Sequence, residues 1–108
     1  MADSILVQLR KGALDLCVLA VLSKGENYGY EIASRLVAAV GMGEGTIYPL
    51  MRRMQNDGLV ATRLVESSSG PPRKYYRLTP LGQSVFEAHR RDWQSFTGAV
   101  DTLLEDLP

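Results

Sequence analysis

The end of the chain restricts the fold more than any other stretch. Thr79-Pro80 joins a helix-capping side chain to a proline, the residue favoured at a first helical position. Beyond it Phe86, His89, Trp93, Phe96, Val100, Leu103 and Leu107 recur in alternating steps of three and four, the spacing of a helix–helix seam. A helix from Pro80 to Leu107 would be about 42 Å long, whereas a small domain is only about 30 Å across. An apolar stripe on an overhanging helix calls for a second chain. Gly98 stands inside it as a candidate bend, costing roughly 1 kcal/mol relative to alanine.

The stretch from Lys11 to Ser23 raises the same demand. It is nearly all apolar, and Gly25 follows as a stop. A helix apolar around most of its circumference needs cover on several faces, which a chain of 108 residues rarely supplies alone. The expected contact sets the last helix of one subunit against this helix of the other.

Between them, Asn27 is placed to cap a helix from Tyr28 to about Val40, with Gly41 as its end. A third helix is predicted from about Glu44 to Asp57 and stopped by Gly58. Its apolar stripe is Ile47, Leu50, Met51 and Met54; its polar face carries Gly45, Thr46, Pro49, Arg52, Arg53 and Asn56. Pro49 removes a helical hydrogen bond, but the carbonyl it crowds belongs to Gly45, close to the helix start. Leu59 to Val65 and Arg73 to Leu78 read as strands around a Ser67–Pro72 loop, an antiparallel hairpin. In the second strand Tyr76 and Leu78 share one face, the expected core side, and Tyr75 and Arg77 the other.

The predicted fold is therefore mainly α with a small β-hairpin, a winged helix-turn-helix followed by one long helix. Residues 1–79 form the winged part and 80–108 the dimerisation helix. The net charge is zero, but from Arg52 to Arg77 six cations face only Asp57 and Glu66, whereas from Asp92 onward every charge is acidic. This polarity is either random surface patchiness or a basic face for nucleic acid.

Several classes fall away. Apolar residues at 45% and charged residues at 22% are ordinary for a globular chain. No apolar run is long enough to span a membrane, and Met1-Ala2-Asp3-Ser4 lacks the basic start of a secretory signal, so a cytoplasmic location is expected. Cys17 is the sole cysteine, which excludes an internal disulfide. The glycines at 41, 43 and 45 lack the lysine and preceding strand of a phosphate loop. His89 and Asp92, one turn apart, are a weak metal pair or simply a structural histidine with a neighbour. No catalytic constellation, metal or cofactor is expected.

Five blocks carry a more specific signal: Gly12-Ala13-Leu14-Asp15, Tyr28-Gly29-Tyr30-Glu31-Ile32, Gly45-Thr46-Ile47-Tyr48-Pro49-Leu50, Asp57-Gly58-Leu59-Val60, and Arg73-Lys74-Tyr75-Tyr76-Arg77-Leu78-Thr79. With Gly82, their order and spacing resemble the PadR-type transcriptional regulators. The short ending is similar to the small branch of that family, whose members close on a single dimerising helix. The resemblance implies a bacterial dimer, on the nucleoid when bound, that holds a two-fold operator, usually as a repressor, and is released by a ligand or stress signal.

Double-stranded DNA is then the expected partner of the third helix, because a major groove accepts an α-helix and presents base edges to it. Thr46, Pro49, Arg52 and Arg53 would face the groove. Arg73, Lys74 and the half-exposed Tyr75 would form a wing along the backbone. Tyr48 either donates to a phosphate or packs with its hydroxyl at the rim. Trp93 is either a large dimer anchor or, with Phe96, one wall of a slot for a planar aromatic small molecule, as in some relatives. The competing reading is a winged helix that docks another protein; the basic face argues against it.

Overall fold

The computed structural model describes residues 5–108; the opening Met1-Ala2-Asp3-Ser4 sequence considered above lies outside them. In chain order the elements are α1 (Ile5–Lys11), α2 (Leu14–Ser23), β1 (Asn27–Tyr28), α3 (Gly29–Val40), α4 (Glu44–Asn56), β2 (Val60–Ser67), β3 (Gly70–Leu78) and α5 (Pro80–Glu105). The strands form one antiparallel sheet in the order β1-β3-β2. This is a winged helix-turn-helix with a long last helix, as the pattern of apolar residues predicts.

The apolar helix α2 is the centre of the core. Val18, Leu19 and Leu22 are buried, and α2 packs on α3, α4, α5 and β3. The chain supplies only part of the cover that α2 calls for: Leu16, Cys17, Ala20 and Val21 remain partly buried. The chain also breaks before it, at Ala13, whose φ of −120° and ψ of 0° leave the helical region. A separate α1 precedes this break. Its Ile5, Leu6 and Leu9 are exposed to solvent.

Asn27 does not cap α3. It pairs with Tyr76 in β1, its Oδ1 accepts the Tyr28 amide at 2.9 Å, and Tyr28 takes the N-cap position. The two-residue β1 was not predicted, because so short a strand has no periodicity. Gly41 ends α3 with a φ of 67°, the left-handed turn that glycine adopts without strain. α4 turns Ile47, Leu50, Met51 and Met54 inward and accommodates Pro49 one turn after its start.

The wing is longer than predicted. β2 and β3 run out to Ser67 and Gly70, so the loop shrinks to Ser68-Ser69. The register passes from Val65↔Arg73 to Ser67↔Gly70, which leaves one extra residue on β3. Pro71 and Pro72 occupy that bulge, where a strand tolerates residues without an amide proton.

α5 starts as its sequence predicts. Thr79 Oγ1 accepts the Gly82 amide at 3.0 Å and donates to the Gly58 carbonyl at 2.6 Å. Gly82 presses on Leu59 so closely that a Cβ there would stand 2.0 Å from the Leu59 carbonyl oxygen. The helix continues unbroken through Gly98. One residue leaves the predicted seam: Phe86 is buried in the core of its own chain, since α5 lies against α2 at that level. Beyond His89 the helix overhangs, and the molecule reaches 59 Å along its longest axis.

Candidate nucleic-acid interface

α4 exposes the face that its sequence assigns to solvent or DNA. Thr46, Pro49, Arg52 and Arg53 all lie on the surface, opposite the buried stripe. The two arginines differ. Arg53 Nη2 donates to Asp15 Oδ1 on α2 at 2.9 Å, and its Nη1 lies 4.0 Å from Asp57. Arg52 makes no ion pair among the described residues. Arg53 is therefore braced within the chain, whereas Arg52 has a free guanidinium.

Tyr48 lies at the inner edge of this face, half-buried against the start of α3. A Cβ on Gly29 would come within 3.3 Å of the Tyr48 ring and 3.4 Å of the Tyr76 ring, so the glycine permits both rings to close on the helix end. Burial, helped by the nearby Glu44 carboxylate, raises the Tyr48 hydroxyl above its usual pKa. Burial also raises that of Tyr76, with Arg52 pulling the other way. Both hydroxyls stay protonated in neutral solution.

The sheet arranges the wing's cations over aromatic rings. The Arg73 guanidinium lies 4.6 Å from the Tyr28 ring centre, Arg63 5.8 Å from that of Tyr75, and the Lys74 ammonium 5.5 Å from that of Tyr76. Tyr28 and Tyr75 pack on each other at 5.6 Å between ring centres. Arg63 also bonds Glu26, which holds that carboxyl below its ordinary range. The strand alternation is as predicted, with Tyr76 in the core and Tyr75 half-buried on the outer face.

A surface cavity of about 320 Å³ joins these parts. Tyr48 of α4, Tyr30 of α3, and Arg73, Lys74 and Tyr76 of β3 line it. Sequence reading did not place Tyr28, Tyr30 or Arg63 here, nor Asp15 beside Arg53. Only the Tyr-Gly-Tyr block offered a signal for the first two. The Arg53–Asp15 pair spans 38 positions and left none.

A second apolar surface lies elsewhere. Trp93, Phe96, Val100 and Leu103 are exposed on α5, with Leu104 beside them and Leu107 just past the helix end. Leu9 of α1 meets Trp93, Phe96 and Val100 around an open groove of about 640 Å³, to which His89, Asp92 and Asp101 contribute polar groups. Among the described residues no helix is long and apolar enough to cross a membrane, and no three ligating side chains gather as a metal site.

Known proteins share this architecture. Residues 18–88 match the transcriptional regulator PadR-like family. The crystal structure of a PadR-like transcriptional regulator from Bacillus cereus superposes with a TM-score of 0.84 at 38% identity, covering 93% of this chain and 99% of that one. A PadR family transcriptional regulator from Eggerthella lenta gives 0.78 at 37% identity, over 94% and 89% of the two chains. A transcriptional regulator of Mycobacterium tuberculosis is 29% identical over 87 residues, 78% of each chain. The winged-helix frame and these likenesses agree: the chain belongs to the PadR-like family of DNA-binding transcriptional regulators.

Proposed function

We propose that the protein represses transcription as a homodimer on a two-fold operator, with residues 1–79 docking DNA and 80–108 joining the copies. α4 enters the major groove, and the β2–β3 wing follows the adjacent backbone of the double-stranded DNA. One observation carries this reading: Tyr48 of α4 and Arg73 and Lys74 of the wing line a single cavity, so recognition helix and wing present one continuous face. Arg52, unpaired, reaches a base edge or a phosphate; Thr46, Pro49 and Arg53 pack along the groove, with Arg53 aligned by Asp15. Tyr75 stiffens the wing from its outer face.

The second copy covers the open stripe from Trp93 to Leu107, with Ile5, Leu6 and Leu9 extending the contact. His89, half-buried, lies at the inner end of that stripe. The groove beside Trp93 and Phe96 takes a planar aromatic effector, and Asp92 and Asp101 favour a cationic one. Such a ligand releases DNA only if it binds the arrangement unable to hold the operator better than the arrangement that can.

Selection of duplexes from a random pool tests the reading. A recovered palindrome with half-sites about 34 Å apart is expected. Log affinity should fall linearly with log salt, by about 0.9 for each phosphate neutralised. Lys74→Ala should weaken all sequences alike and flatten that slope, while Arg52→Ala should cost about 1–3 kcal/mol on the selected site. Failure to bind any pool sequence would overturn the proposal.

A further inference from the structure

The cavity between α3, α4 and β3 has the chemistry of an anion site. α3 spans 12 residues and begins without a side-chain cap, so its first-turn amides lack the partner that capped helices have. Tyr76 is only 8% exposed, and no group among the described residues accepts or donates a hydrogen bond at its hydroxyl. Among the described residues no buried polar side-chain atom is left unsatisfied, so that hydroxyl keeps some access to solvent, and Tyr76 lines the cavity. Tyr48 adds a second unpartnered hydroxyl, 4.0 Å from the Cβ position of Gly29 at the helix start. Arg73 and Lys74 supply positive charge at the mouth, each held over a tyrosine ring.

The Tyr76 ring belongs to the core while its hydroxyl keeps access to solvent at the cavity, so it is free to donate to a ligand seated there. The nearby acids do not close the site. Glu31, in the first turn of α3, pairs with Arg35 one turn along at 3.3 Å, and burial, with the Glu44 carboxylate adding to it, keeps the Tyr48 hydroxyl protonated. The start of α3, two phenols and two cations thus line one cavity, the set of donors an oxyanion takes.

We propose that this cavity seats one backbone phosphate of the duplex per subunit, with Tyr76 and Tyr48 as hydroxyl donors to it and the α3 start as the third side. The inference rests on the DNA-binding reading above. It makes Tyr76, otherwise a core residue, the group that fixes the distance between wing and recognition helix on the DNA: the phosphate touches α3, α4 and β3 together. Such a contact sets register and carries no sequence information.

The test uses the full-length protein and duplexes selected by the wild type. Tyr76→Phe and Tyr48→Phe each remove one oxygen and leave the ring. Each should weaken binding about ten-fold, the order expected for a hydrogen bond to a charged group. The loss should be the same for selected and random duplexes. The salt slope should not change, because a neutral hydroxyl displaces no counterion; Lys74→Ala should lower it by about 0.9. A methylphosphonate scan then locates the contact. One position per half-site should weaken the wild type, and should weaken Tyr76→Phe less, by about the factor that the lost hydroxyl contributes. Gly29→Ala, which pushes a methyl group against both rings, should reproduce the loss while the protein still folds. If the wild type binds no duplex, the DNA reading itself fails. If the wild type binds and both phenylalanine variants match it, the phosphate seat is wrong. A loss confined to the selected sequence would make Tyr76 a base reader and equally overturn the seat, as would a scan in which the variant keeps the wild type's full sensitivity at every phosphate.

Discussion

Phe86 and Phe96 lie on the same helix and in the same periodic stripe, yet Phe86 is 8% exposed and Phe96 67%. The difference comes from what stands opposite each. Near Phe86, α5 is fixed by the Thr79 cap, by Gly82 against Leu59 and by α2 alongside. Past His89 it leaves the body of the molecule: α2 residues reach as far as Trp93 and Gln94, and beyond them Leu9 of α1 approaches Phe96 and Val100. Periodicity therefore states which face of a helix seeks apolar cover, and the reach of the surrounding elements decides whether its own chain supplies it.

The inner half should be the more costly to disturb. At Gly82 a methyl group would meet a backbone carbonyl at 2.0 Å, which no side-chain rotation relieves. Gly82→Ala should exceed the roughly 1–3 kcal/mol of ordinary overpacking, and Phe86→Ala should cost about 3–5 kcal/mol by emptying a core position. Against a total stability of about 5–15 kcal/mol, either change threatens folding. Urea unfolding followed by circular dichroism measures both. Stability close to that of the wild type for either variant would show that the inner half is not the anchor described here.

The outer half should respond differently. Phe96→Glu with Leu103→Glu places like charges across the proposed interface but removes nothing from the core. The chain should stay folded and sediment as a monomer. The wild type's melting temperature should rise with protein concentration, as it does when association stabilises the folded state, and the variant's should not. A variant that still sediments as a dimer would place the second copy somewhere other than this stripe.

The same contrast explains what the sequence made legible. The Thr79-Pro80 start, the Gly41 stop and the α4 stripe are local signals, and local hydrogen bonds and periodicity set them. What escaped was non-local. Asn27 has the chemistry of an N-cap, but pairing with Tyr76 across the sheet places it in a strand. Arg53 reads as a free cation on a groove-facing helix until the fold brings Asp15 beside it. The candidate interface was half legible for that reason. Tyr48, Arg73 and Lys74 are candidates from their own surroundings in the chain, whereas Tyr30 and Tyr76 reach the same cavity only through packing.

The smallest effect offers the finest test of where cover lies on the outer half. Gly98 follows Phe96 by two residues, so at about 100° per residue it stands roughly 200° round the helix, away from the apolar stripe. A Cβ built there meets nothing within 4 Å, and α5 runs through the site without a break. Only helix propensity then remains, and Gly98→Ala should stabilise the chain by up to about 1 kcal/mol. In a domain of this size that is a rise in melting temperature of about 4–8 °C. The sedimentation of the protein and its affinity for DNA should not change, since the face concerned touches neither partner. A weakened dimer would mean that the partner wraps both faces of α5, and the one-sided contact argued from Trp93 to Leu107 would have to be redrawn.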